Sequence, residues 1–236
     1  MLCIIADLTV QIPNAGGLAP RCKDYLIDET IRADIIIRTE RYHLDRYASD
    51  VTEDTIAYME SGRQFASQLL QYDGFYLHAS AVEVDGRAYL FSAPSGTGKS
   101  THTRLWQQMF GEKTCIFNDD KPALRCLDGI WYAYGTPWCG KDGINVNRKV
   151  PVAGICFLKQ ARHNQIHSLA PKEAVPKLLN QTIRGFRNPE RVTLLLGHLD
   201  KLVQTIPIFE LENRPELEAA QLSYETMYRA ALEKGL

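Results

Sequence analysis

Several features that mark common protein classes are missing from this chain of 236 residues. Charges of both signs are interleaved, with no basic run and no acidic tail, and the formal net charge is −1. The charge pattern therefore favours neither nucleic acid nor an anionic membrane surface as a partner. No apolar run is long enough to span a bilayer, so no membrane segment is expected. Residues 1–7 carry an early acid and no basic region, unlike a signal peptide, and we expect a cytoplasmic protein.

The six cysteines include no C-x-x-C pair, and several lie within apolar runs that are typical of strands. A zinc site needs clustered ligands, and the sequence offers no such cluster. We therefore expect buried, reduced thiols. The length suits one good-sized domain, or one domain with a small appendage.

What the sequence does contain is a glycine-rich loop, Ala93-Pro94-Ser95-Gly96-Thr97-Gly98-Lys99-Ser100. It has the form G-x-x-x-x-G-K-[ST] of a phosphate-binding loop, with Ala93 in place of the first glycine. Residues 87–92 are an apolar run typical of a buried strand, and residues 100–110 lack Gly and Pro, which favours a helix. Strand, loop and helix in this order are the context that the motif requires.

Each residue type in this loop suits phosphate binding. Gly96 and Gly98 let the backbone turn tightly and aim N–H groups at phosphate oxygens, and the helix N-terminus adds partial positive charge. Lys99 is placed to reach the β- and γ-phosphates, and the Ser100 hydroxyl to ligate Mg²⁺. The residues predicted to bind a nucleotide are Ser95, Gly96, Thr97, Gly98, Lys99, Ser100 and Thr101.

Asp119 and Asp120 follow a short apolar run, residues 114–118, about one helix beyond the loop. A strand over this run would lie beside the strand that feeds the loop, with its carboxyl end at the same edge of the sheet. One carboxylate would then hold Mg²⁺, and the other would accept a proton from an acceptor hydroxyl. The alternative is an exposed acidic turn without a function.

Five further residues are candidates with a structural alternative. His78 either belongs to the core or lies beside the phosphates and bonds an aspartate, because its predicted partner strand runs into the loop. Lys141, in a glycine-flanked loop, either contacts phosphate or substrate or is simply solvated. Arg184 and Arg187 follow a predicted helix and would supply a cation to the transition state, although exposed helix-end arginines are more common. Trp138 either stacks on a base or packs in the core.

Two parts of the chain differ in pattern. Residues 1–70 are predicted to form a small β-rich subdomain, with strands over 3–10 and 33–38. A helix is predicted over 55–70, and Gly62 weakens it enough to suggest two short pieces.

Residues 71–236 are predicted to form the core with C-terminal helices. Asp85-Gly86 between the apolar runs 75–84 and 87–92 predicts a hairpin, so the strand that feeds the loop is antiparallel to its neighbour in sequence. The predicted fold class is α/β with a mixed, partly antiparallel sheet. The other predicted elements are a hairpin at Asp128-Gly129, strands over 114–118, 150–159 and 205–211, and helices over 173–186, 189–203 and 214–233.

Residues 77–82, Asp85-Gly86, residues 95–100 and Asn118-Asp119-Asp120 together resemble the HPr kinase/phosphorylase family. Its wider clan includes the ATP-dependent phosphoenolpyruvate carboxykinases. The chain is most similar to the short HPr-kinase-like proteins that accompany ribosomal-peptide modification systems, including the lasso-peptide tailoring kinases. The resemblance covers residues 72–160 well.

This resemblance implies a P-loop core of the HPr kinase/phosphoenolpyruvate carboxykinase type and an ATP-dependent kinase that acts on a serine hydroxyl. It implies Asp119 as the proton-accepting carboxylate, supported by His78, with Asp120 and Ser100 serving the metal and Lys99 the phosphates. The chain lacks the Glu-x-Arg-Gly-x-Gly-type signature and the large N-terminal domain of the bifunctional enzymes. Both departures argue against phosphorylase activity and against HPr as the substrate.

Three functions stay open at this point. The leading one is a Mg-ATP-dependent kinase for a serine of a peptide or small protein. The loop over 135–143 is rich in Gly and contains a Pro and an aromatic residue, which suits a mobile, partly apolar rim that admits a peptide segment. The alternatives are a small-molecule kinase, for example of free serine, and a nucleotide-binding module that regulates a peptide-modifying complex. A pure switch needs no base such as Asp119. The oligomeric state, monomer or homo-oligomer, is also open.

Overall fold

The computed structural model describes residues 1–14, 16–28, 31–182 and 188–236. Within these ranges, twelve strands form two sheets. The strands are β1 (Leu2–Ile5), β2 (Leu8–Gln11), β3 (Ile35–Ile36), β4 (Gly74–Tyr76), β5 (Ala79–Val84), β6 (Arg87–Ser92), β7 (Thr114–Asn118), β8 (Ala123–Leu127), β9 (Ile130–Tyr134), β10 (Lys149–Gln160), β11 (Gln165–Ser168) and β12 (Ile208–Asn213). The α-helices are α1 (Glu53–Leu69), α2 (Lys99–Phe110), α3 (Pro171–Gln181), α4 (Pro189–Thr205) and α5 (Leu217–Glu233).

The larger sheet is mixed, as the sequence predicts. Its main path runs β4-β8-β9-β10-β6-β5-β7, and β12 pairs with β10 and β11. The Asp85-Gly86 hairpin is confirmed, because β5 and β6 are antiparallel and both turn residues have positive φ, 49° and 74°. On its other side β6 is parallel to β10, which is in turn parallel to β12.

One predicted neighbour relation is wrong. β7 pairs with β5 and not with β6, so the strand that ends in the acidic pair does not lie beside the strand that feeds the glycine-rich loop. Both β6 and β7 are antiparallel to β5, and they are therefore parallel to each other. Their carboxyl ends still share one edge of the sheet, which brings the loop and the acidic pair to the same side.

The predicted strand over 75–84 is two strands. β4 pairs with β8, whereas β5 pairs with β6 and β7, and the break falls at Leu77 and His78. The backbone N–H of His78 leaves the ladder and donates to the carbonyl of Gln181, at 2.8 Å. The predicted helix over 173–186 is observed as α3 up to Gln181, and its last residues lie partly outside the described ranges.

The N-terminal part contains the three-stranded sheet β1-β2-β3 and helix α1. Gly62 does not split this helix, which runs unbroken through 17 residues. A Cβ at Gly62 would lie 2.8 Å from the Trp138 ring, so the glycine permits a close approach between α1 and the rest of the chain. One buried cluster joins Ile5 and Phe65 to Trp138, while the domain boundary near residue 70 stays a prediction.

Helix α2, which follows the glycine-rich loop, is anchored by Trp106, whose Nε1–H donates to Ser223 of α5 at 3.0 Å.

None of the described helices has the length and apolar character needed to cross a membrane.

Candidate active site

The loop after β6 contains two glycines in backbone conformations that other residues rarely adopt. Gly96 and Gly98 have φ values of 78° and 112°, in the positive-φ region that favours glycine. Helix α2 begins at Lys99 and has no side-chain cap, so its first N–H groups are left for another acceptor. Lys99 is only 8% exposed and its Nζ donates to the carbonyl of Ala93 at 3.0 Å. Burial lowers the pKa of this ammonium from its ordinary value.

A cleft of about 700 Å³ brings the loop and the acidic pair together. Most of the residues predicted from the sequence line it. Thr97 lies in a neighbouring cavity instead, and Arg184 and Arg187 lie outside the described residues. The residues that line the cleft are His78, Ser95, Gly96, Gly98, Lys99, Ser100, Thr101, Arg104, Asp119, Asp120, Gly140, Lys141 and Asp142.

Asp119 is held in a fixed orientation at the base of the cleft. It is 7% exposed, and its Oδ1 accepts a hydrogen bond from the Gly140 N–H at 2.6 Å. A Cβ at Gly140 would lie 2.9 Å from Oδ2 of Asp119, so a larger residue at this position would displace the carboxylate. Burial raises the pKa of Asp119, and the nearby charges of Asp120 and Asp142 also raise it. The hydrogen bond from Gly140 lowers this pKa but does not cancel the rise. Such a carboxylate is suited to accepting a proton.

Asp120 has the opposite electrostatic environment. Burial acts to raise its pKa, but His78 and Lys121 outweigh burial and lower the pKa to about 2. The Nε2 of His78 lies 3.3 Å from Oδ1 of Asp120, and the Lys121 ammonium contacts Oδ2. Asp120 therefore stays anionic, as a ligand for a cation must. His78 contacts Asp120 rather than Asp119, and the expectation that His78 supports Asp119 stays a prediction.

The turn formed by Asn118, a residue that the sequence analysis named only as part of a motif, explains why the two carboxylates have different partners. Its side-chain oxygen accepts from the N–H groups of Asp120 and Lys121, at 3.1 and 2.7 Å, which makes a tight turn at the end of β7. Its side-chain nitrogen donates to the carbonyl of Thr136 at 3.1 Å. An Asn at a strand end, directly before two acids, was the available signal for this turn.

His78 is a cleft residue and not a core histidine, because its side chain is 32% exposed. Its Nδ1 lies 2.9 Å from the side-chain oxygen of Gln181. Its Nε2 faces the carboxylate of Asp120, so the imidazole lies between Gln181 and Asp120. Gln181 thus fixes the imidazole through both its backbone and its side chain.

The predicted mobile, apolar rim over 135–143 is wrong for most of its length. Trp138 is fully buried, stacks on Phe65 with ring centroids 5.0 Å apart, and donates Nε1–H to Ser61. It therefore belongs to the core. Only the residues from Gly140 onward border the cleft, and there Lys141 is exposed.

Arg104 is a further cleft residue that the sequence did not indicate. It lies on α2, and its guanidinium donates to the carboxylate of Asp142 at 2.7 Å, with more than half of the arginine side chain exposed. The pair joins the helix after the loop to the segment that carries Lys141.

Fold and site together define a mixed α/β protein whose cleft lies between a glycine-rich loop and an acidic pair. The model of a family described as SynChlorMet cassette protein ScmC matches residues 48–214, well over half of the chain. The chain therefore belongs to this family. Every residue that lines the cleft falls inside the matched range.

No curated protein is significantly similar to the chain. Among solved structures, the chain is similar to the Hpr(Ser) kinase/phosphatase from Coxiella burnetii, with 11% sequence identity and a TM-score of 0.37. The similarity covers 67% of this chain and 97% of that one. Similarity at this level does not establish a shared fold, and the resemblance to HPr kinases stays a prediction.

Proposed function

We propose that this chain is a Mg-ATP-dependent kinase that transfers the γ-phosphate of ATP to a serine hydroxyl of a peptide or small protein. The observation that carries the proposal is the cleft itself. It combines Lys99 and the glycine-rich loop with two carboxylates, Asp119 and Asp120, whose pKa values are shifted in opposite directions. Two titratable groups driven apart in this way are typical of a division into base and permanent anion.

The residues present fit a magnesium nucleotide. Uncapped N–H groups at the start of α2 and the Lys99 ammonium suit phosphate oxygens. The Ser100 hydroxyl and the Asp120 carboxylate suit Mg²⁺, which commonly takes one or two carboxylates together with substrate phosphates. When bound, Mg²⁺ neutralises charge on the phosphates.

In the proposed reaction Asp119 accepts the proton of the acceptor serine. The serine oxygen forms a bond to the γ-phosphorus while the bond to the β–γ bridging oxygen breaks, and ADP leaves. Lys99 stabilises the negative charge on the phosphates, and Lys141 supplies a second cation at the rim. His78 acts indirectly, by orienting Asp120.

A small apolar cavity favours a peptide over free serine as the acceptor. It measures about 210 Å³, and its walls include Tyr47, Tyr58 and Met59. Lys121 also lines it and pairs with Asp120, so the cavity adjoins the acidic pair. An apolar cavity at this place would take a side chain near the phosphorylated serine, which a free amino acid does not have. The description of the family as a cassette protein also favours a partner protein or peptide.

A labelled-ATP assay tests the proposal. The acceptors are free serine, a peptide library with one fixed serine, and the same library with alanine in its place. Label should enter the serine library alone, and Asp119→Asn should lower the transfer by roughly 10²–10⁴. Turnover of free serine without turnover of the library would support the small-molecule alternative. Binding of MgATP without transfer to any acceptor would support the non-catalytic module.

A further inference from the structure

A second cavity opens on the other side of the glycine-rich loop. It measures about 380 Å³ and shares Gly96, Gly98 and Thr101 with the cleft. From the loop it extends to Gln160 and Asn213, the paired last residues of β10 and β12. Because β6, β10 and β12 are parallel, the cavity lies beyond their carboxyl ends, the edge at which α/β sheets bind ligands.

The two spaces differ in charge. The cleft is lined by three cations and three aspartates, whereas none of the described residues that line the cavity carries a charge. Its polar groups are the hydroxyls of Thr97 and Thr101, the amides of Gln160 and Asn213, and the imidazole of His102. Burial lowers the pKa of His102 to about 3, so this ring is neutral.

The hydrogen bonds around His102 define its tautomer. The Ser223 hydroxyl donates to the carbonyl of Ala220 at 2.9 Å, so its oxygen is an acceptor for the Nε2 of His102 at 3.0 Å. Nε2 therefore carries the proton, and Nδ1 is a buried acceptor with no partner among the described residues. A buried acceptor of this kind calls for a donor from a ligand or an ordered water.

We propose that this cavity is the nucleoside subsite, which takes the base and ribose of the donor nucleotide while its phosphates cross the loop into the cleft. The inference rests on the proposed function. Neutral amides and hydroxyls match the hydrogen-bonding edges of a base and a ribose, which are polar but uncharged. The cavity volume lies within the range of roughly 300–1,000 Å³ of small-molecule sites.

The contact between loop and cavity supports one ligand in both spaces. The Gln160 side chain donates to the carbonyl of Thr97 at 3.3 Å, so the end of β10 is joined directly to the phosphate loop. A ligand in the cavity would lie against the same backbone that turns its N–H groups toward the cleft.

Calorimetry with two probes, MgATP and magnesium tripolyphosphate, tests the subsite. Ala161, which lines the cavity, is changed to tryptophan to fill it, and the adjacent Arg162→Trp, which does not line it, is the matched control. Ala161→Trp should weaken MgATP binding about tenfold or more and leave tripolyphosphate binding unchanged, because only ATP carries a nucleoside. Arg162→Trp should change neither affinity.

The outcomes separate the two proposals. Unchanged MgATP affinity in Ala161→Trp would overturn the subsite, as would equal affinities of the unmodified protein for the two probes. An unmodified protein that binds neither probe would contradict the proposed function as well. If Ala161→Trp loses both probes through distortion of the loop, the double variant Gln160→Ala, Asn213→Ala decides. It should lose MgATP affinity alone, and full retention of that affinity would overturn the subsite.

Discussion

The two sides of the cleft are built differently. The loop side is one continuous segment followed by α2, and Lys99 is held by a backbone carbonyl six residues away. The acidic side is assembled from distant segments, because Asp119 is fixed by Gly140 and Asp120 by His78. The loop side therefore depends on local backbone conformation, whereas the acidic side depends on tertiary contacts. Substitutions on the two sides should separate nucleotide binding from chemistry.

Asp119→Asn is expected to have the largest effect on turnover. An amide cannot take the proton of the acceptor, so kcat should fall by roughly 10²–10⁴ while MgATP affinity stays nearly unchanged. Steady-state kinetics and calorimetry measure the two quantities. The matched variant is Asp120→Asn, which should instead raise the Mg²⁺ concentration needed for half-maximal activity. If the two variants exchange these effects, the roles assigned to the aspartates are reversed.

Lys99→Ala tests the loop side. Its ammonium supplies a charge-assisted contact to phosphate, typically about 1.5–3 kcal/mol, so ATP affinity should fall by roughly 10- to 150-fold. Calorimetry with MgATP gives this number directly. Lys141→Ala, at an exposed position on the rim, should cost less. Equal ATP affinities of Lys99→Ala and the unmodified protein would rule out the loop as the phosphate site.

Gly140→Ala sharpens the contrast, because it changes the acidic side without removing a polar group. The new Cβ would lie 2.9 Å from Oδ2 of Asp119 and should displace the carboxylate. We expect kcat to fall about tenfold, less than the roughly 10²-fold that a 1 Å misplacement can cost, with MgATP affinity unchanged. Gly197→Ala, where a Cβ meets open space, is the control. Unaltered turnover in Gly140→Ala would mean that the position of Asp119 does not matter.

The features that the sequence predicts well are local. The loop residues are consecutive, and the two Asp-Gly hairpins follow from turn chemistry within two residues. The mixed sheet follows from the first of these hairpins, because it reverses the chain directly before the loop. The glycine-rich loop and the start of the helix after it could therefore be predicted from the order of residues 95–101 alone, while their binding of a nucleotide stays a prediction.

The features that the sequence does not predict depend on contacts between remote segments. The burial of Trp138 requires the missing side chain of Gly62, and its indole bonds Ser61, 77 residues away. His78 is oriented by Gln181, 103 residues away. His78 contacts Asp120 and not Asp119 because of the turn made by Asn118, and the hydrophobic pattern of the sequence does not predict this turn. Tertiary packing decides these points. It also decides that β5 lies between β6 and β7, which the sequence does not predict.

His78→Ala should have the smallest effect, and its dependence on pH identifies the contact involved. The folded-state pKa of Asp120 is about 2 against an ordinary 3.8, so the folded protein binds this proton less tightly than the unfolded chain. The resulting stability is fully present above pH 3.8 and is lost as the pH falls toward 2. It amounts to about 2 kcal/mol, shared between the contacts to His78 and Lys121.

Removing the imidazole should therefore reduce the free energy of unfolding by about 1 kcal/mol at mildly acidic pH, where Asp120 is ionised, since Lys121 still neutralises part of the Asp120 charge. Urea unfolding at several pH values measures this difference, which should shrink below pH 3.8 as Asp120 becomes protonated in the unfolded chain. His167→Ala, on the exposed strand β11, should show no such trend. A cooperative transition must persist in His78→Ala, together with lower turnover. A destabilisation that stays constant down to pH 2 would instead mean that His78 acts through packing and not through Asp120.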